Sequence, residues 1–159
     1  MSDPHVIEPV GFDARMAPFA FQHYARDFFE AYKKHKGGPK FSPARLFLLT
    51  RSIELAAKAL HLDQGRTYDD IVALRHDLKA ACYPQILAAY GISLEQIEEA
   101  ELKKANEYYK RKGFEYFLYK HPGVAVDRSG PQQAASGWPA LPDEGILESV
   151  LGKLLQPKF

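Results

Sequence analysis

The sequence predicts an all-α protein: an antiparallel four-helix up-and-down bundle with an additional C-terminal helix. Three observations predict it. Apolar residues recur at helical spacing over most of the chain. Capping residues bracket those stretches, and the early connections between them are short. The only stretch that also reads as a strand is the aromatic run from Phe114 to Tyr119, where helix is favoured over strand.

The first helix begins near Pro18, a residue suited to the first helical position, and runs to about Lys36. Phe21, Ala25, Phe28 and Tyr32 make its apolar stripe, and Gly37-Gly38-Pro39 stops it. The second helix opens on Ser42 and Pro43 and runs to about Leu60. It is apolar on nearly every side, which places it in the middle of the bundle. Thr67-Tyr68-Asp69-Asp70 reads as a capping box opening a third helix, with Ile71, Leu74, Leu78 and Ala81 as its core face. Pro84 lies inside that pattern and predicts a kink before the helix ends at Gly91. Ser93-Leu94-Glu95-Gln96 reads as a second capping box, opening a fourth helix to about Lys112.

The whole chain, 1–159, reads as one domain. Its core bundle spans about 18–122, a Pro-, Gly- and Ser-rich loop about 123–142, and the C-terminal helix about 143–156. In that last helix Ile146, Leu147, Val150, Leu151, Leu154 and Leu155 form a stripe too apolar to leave in water. Either it packs on its own bundle or it contributes to a homodimer, and the sequence favours the homodimer.

Apolar residues make up 46% of the 159 and charged residues 26%, the balance of a folded globular chain. The net charge of +1 argues against the uniformly basic surface that wraps duplex DNA. No apolar run is long enough for a membrane helix, and the N-terminus lacks a secretory pattern. With Cys82 as the single cysteine, no internal disulfide can form, and a cytoplasmic protein is expected. The six histidines form no metal-binding pattern with one another or with Cys82, and no Gly-rich phosphate loop occurs. No metal and no cofactor are therefore expected.

The residues able to carry chemistry lie on the second and third helices. Arg51, Glu54 and Lys58 stand at i, i+3 and i+7, a narrow polar stripe on an apolar cylinder. One reading is a solvated edge with a weak Glu54–Lys58 ion pair. The other is a groove shared with the third helix, where Arg75, His76, Asp77 and Lys79 lie opposite. That arrangement makes a cationic pocket with one titratable imidazole, suited to a phosphate or nucleotide. On this second reading, Lys58→Ala or Arg75→Ala weakens ligand binding and leaves the thermal midpoint nearly unchanged.

The block Glu54-Leu55-Ala56-Ala57-Lys58-Ala59, followed 17 residues later by His76-Asp77-Leu78, resembles the HEPN family (higher eukaryotes and prokaryotes nucleotide-binding domain). The similarity runs from about Pro18 to Pro122. Tyr108 and Tyr109 match the tyrosine that such proteins carry on the fourth helix, whereas Tyr119-Lys120-His121-Pro122 departs from the family's Arg-Tyr-Pro ending. Members that cleave RNA use an arginine and a histidine a few residues apart on the fourth helix. Here Arg75 and His76 are adjacent, the other arginine–histidine pairs lie further apart, and the signature is absent. The resemblance thus implies a non-catalytic module that binds a nucleotide, RNA or a protein partner. Such modules resemble those encoded beside minimal nucleotidyltransferases or within toxin–antitoxin-like systems, which implies a cognate nucleotidyltransferase-like partner. The alternative is a divergent endoribonuclease or phosphotransfer enzyme with His76 as its acid–base group.

Overall fold

A computed structural model of the chain describes residues 18–36, 42–113 and 141–159. Among the described residues there are seven helices and no strand: α1 (Pro18–Lys34), α2 (Pro43–Asp63), α3 (Tyr68–Ala73), α4 (Leu78–Ala81), α5 (Pro84–Ala88), α6 (Gln96–Tyr109) and α7 (Glu144–Leu154). The run from Phe114 to Tyr119, the Gly37-Gly38-Pro39 stop and residues 123–140 of the expected loop lie outside the described residues.

α2 is the axis. Ser42 caps it by accepting a hydrogen bond from the Arg45 N–H at 3.3 Å, and Pro43 starts its first turn. Every residue from Ser52 to His61 is buried, and α2 touches each of the other six helices. Small side chains let neighbours come close: Ala56, Ala57 and Ala59 are fully buried, and the Ser52 hydroxyl donates to the Ala25 carbonyl at 2.5 Å.

The expected third helix is three short ones. Thr67 and Asp70 do form the capping box that opens α3. The helix then stops ahead of the anticipated kink, because Arg75 takes a left-handed conformation (φ +48°) and Asp77 caps a new helix, α4. Pro84 opens α5 rather than kinking a longer helix. Ile71, Leu78 and Ala81 still face the core, so the apolar pattern survives the breaks. The fourth expected helix, α6, is capped at Glu95 instead of Ser93. Glu98 accepts from the Glu95 N–H at 2.8 Å and is itself fixed by Lys153 and Ser149 of α7. The tertiary anchor therefore selects which acid completes the box.

α7 docks within the chain. Leu147, Val150, Leu151 and Leu154 are fully buried, and Leu155 packs on the core's edge. Burial of each such side chain stabilises by roughly 1.5–3 kcal/mol. Arg26 holds the helix end through the Leu155 carbonyl at 3.0 Å. The stripe that suggested a homodimer contact is thus covered by α2 and α6 of the same chain. No helix among the described residues is long and apolar enough to cross a membrane.

Candidate ligand-binding site

The polar stripe of α2 is not a solvated edge. Glu54 is 0% exposed and Lys58 8%. A lone carboxylate at that depth is prohibitively costly, so its partners decide whether it can exist there. Lys58 Nζ donates to Oε1 at 2.5 Å, and Arg51 Nη1 to Oε2 at 2.8 Å. The Tyr109 hydroxyl, arriving from α6, donates to the same Oε2. His76 completes the shell, with Nδ1 3.3 Å from Oε2 and its ring edge-on to Tyr109. Four side chains from three parts of the chain therefore converge on one carboxylate.

The turn from Arg75 to Asp77 is built to meet that cluster. A left-handed non-glycine residue costs about 1–2 kcal/mol. At Arg75 it turns the carbonyl toward Lys58 Nζ, which donates to it at 2.7 Å. Asp77 caps α4 through the Ala80 N–H at 3.1 Å, accepts from Asn106 at 3.1 Å, and pairs with Lys110 at 2.5 Å. The Asn106 side-chain oxygen takes the Leu78 N–H at 2.8 Å. His76 is thereby fixed between two anchored neighbours, its side chain 40% exposed.

Burial pushes the Glu54 carboxyl up. Hydrogen bonds from Lys58 and Tyr109 and the charges of Arg51 and Lys58 outweigh it, holding the group below the usual carboxylate range. Burial and the neighbouring Glu54 push the Tyr109 phenol well above its ordinary value, so it stays a donor. For Asp77 burial also acts upward, and the Lys110 hydrogen bond leads the effects that bring it down. Two permanent cations, Arg51 and Lys58, face the single Glu54 carboxylate, leaving an excess of one positive charge before the exposed Arg75 is counted. His76 Nδ1 faces Glu54 Oε2, and Nε2 has no hydrogen-bond partner among the described residues.

A cleft of about 380 Å³ opens beside this cluster, between α1, α2 and α3. Arg51 and Lys58 reach it from α2, Tyr24 and Phe28 from α1, Tyr68 and Val72 from α3. Three of these are conspicuously exposed: Tyr68 at 61%, Val72 at 54% and Tyr24 at 49%.

Of the residues the sequence singles out, Arg51, Glu54, Lys58, His76 and the Arg75 carbonyl come together. Asp77 stands next to them, with its carboxylate engaged by the α4 cap and Lys110. Lys79 is exposed on α4 and makes no hydrogen bond or ion pair with the cluster among the described residues. Lys58 is a buried structural partner, so the expectation that Lys58→Ala spares stability is corrected. Sequence reasoning did not assign Tyr109 or Asn106 to the site, although Asn106, Tyr109 and Lys110 form a polar edge at i, i+3 and i+4 of α6. It also missed the cleft, whose α1 signal was Phe21, Tyr24 and Phe28 at i, i+3 and i+7. Compared with protein-family models, with curated proteins and with solved structures, the chain matches none.

Proposed function

We propose that the chain is a HEPN-like, antiparallel helical-bundle module that binds a nucleotide or RNA without cleaving it. Its binding surface lies where α2 meets the turn between α3 and α4. The carrying observation is the Glu54 cluster. A buried carboxylate gathers Arg51, Lys58 and His76, holds them in fixed geometry, and leaves net positive charge beside an open cleft. Preorganised cations of this kind favour an anionic oxygen ligand. A cytoplasmic setting and a nucleotidyltransferase-like partner belong to the same proposal, on the strength of the resemblance carried by residues 54–59 and 76–78.

The experiment is direct binding of adenosine 5′-monophosphate and of a ten-residue oligouridylate at low and moderate salt. Binding of either, weakened by Arg75→Ala with the fold intact, supports the reading. Absence of binding to both ends it. An enzymatic alternative draws on one observation: Glu54 Oε2 lies 3.3 Å from Nδ1 of a His76 side chain that is 40% exposed, so a held imidazole stands within reach of a ligand as an acid–base group. RNA cleavage that survives a chelator and disappears in His76→Ala would replace the binding module with that enzyme.

A further inference from the structure

The cleft between α1, α2 and α3 shares Arg51 and Lys58 with the Glu54 cluster but adds aromatic walls, Tyr24, Phe28 and Tyr68, that have no part in that cluster. Monomeric chains seldom leave large apolar side chains exposed side by side, and where they do the patch usually has a ligand. Here Tyr24, 49% exposed, and Tyr68, 61% exposed, line one cleft from two helices, with Val72 beside them. At the α2 side the lining changes character: Arg51, whose side chain is 30% exposed, and Lys58 supply the positive charge. A planar apolar body against the tyrosines and an anionic group at the arginine satisfy both halves. The volume of about 380 Å³ sits at the small end of ligand sites, which span roughly 300–1,000 Å³. It matches the size of one nucleotide.

Resting on the nucleotide reading above, we infer that this cleft takes a single mononucleotide unit, its base stacked on Tyr24 and Tyr68 and its phosphate on the Arg51 guanidinium. Stacking on an aromatic side chain is tolerant of base identity, so purine and pyrimidine nucleotides bind with similar affinity.

The test is calorimetric titration of the full chain with adenosine 5′-monophosphate, adenosine, inorganic phosphate and the oligouridylate, alongside Tyr24→Ala, Tyr68→Ala and Tyr68→Phe. Both tyrosines are exposed, so thermal midpoints should stay close to wild type and report an intact fold. The expected result is that the monophosphate binds and each alanine variant weakens it about 10-fold or more. Tyr68→Phe keeps the affinity, and adenosine and phosphate each bind at least about 10-fold more weakly than the joined molecule. Monophosphate affinity unchanged in both alanine variants, equal binding of adenosine, or binding of the oligouridylate alone overturns the cleft assignment and leaves the binding-module reading standing. No binding of any probe overturns both.

Discussion

Glu54 and Glu144 are met by the same chemistry, an arginine and a tyrosine hydroxyl, in two settings that differ in burial. Glu54 is fully enclosed and adds Lys58 and His76 to Arg51 and Tyr109. Glu144 lies on α7, one third exposed, where Arg45 donates to it twice, at 3.0 and 2.8 Å, and the Tyr32 hydroxyl stands 2.8 Å away, shared with Glu148 at 2.6 Å. The outer group joins α1, α2 and α7 at their rim. The inner group joins α2, the α3–α4 turn and α6 inside the core. Water can replace a lost partner at Glu144 and cannot reach Glu54. The same pairing of groups is therefore a modest fastener in one place and an indispensable one in the other.

The largest expected effect follows from removing one charge of the inner group. Glu54→Ala strands Lys58 and Arg51 and should cost about 3–5 kcal/mol. That corresponds to a thermal midpoint lower by about 10 °C for a chain of this size. Calorimetric melting checks it, and a midpoint within about 2 °C of wild type would break the comparison. Leu151→Ala, which removes a fully buried side chain of α7, should cost about 2–5 kcal/mol in urea unfolding. An equal loss seen only when a dimer dissociates would return the helix to an intermolecular role.

A pH experiment sharpens the contrast. The Glu54 carboxyl is depressed in the folded state, so its stabilisation is complete above its unfolded value near 4.5 and is lost as the pH falls through the folded value. Unfolding by urea from pH 7 to pH 3 should therefore show a steeper acid loss for wild type than for Glu54→Gln. Parallel curves would mean that Glu54 is not held charged. Smaller again is Glu144→Ala, expected to cost about 1 kcal/mol or less and to diminish in high salt.

How much of this was legible in the sequence depends on range. Local signals carried the helices: Ser42-Pro43, the Thr67–Asp70 box and the all-round apolar character of α2 each marked what the structure contains. The break after α3 was not legible, because it depends on Lys58 holding the Arg75 carbonyl from 17 residues away. Likewise the local pattern pointed to Ser93 as the cap of α6. Glu95 caps it instead, because its box partner Glu98 is held by Ser149 and Lys153, contacts that no local pattern contains. For the site, spacing placed Arg51, Glu54 and Lys58 on one stripe but left two environments open. Exposure of that stripe is settled by Tyr109 and His76, which come from elsewhere in the chain.

The most direct measurement is a pair of double-mutant cycles in urea unfolding at pH 7, one for Glu54→Gln with Lys58→Met and one for Glu144→Gln with Arg45→Met. Coupling of about 2 kcal/mol or more is expected for the buried pair, and below about 1 kcal/mol for the rim pair. Equal couplings, or a buried pair weaker than the rim pair, would contradict a core organised around the Glu54 carboxylate.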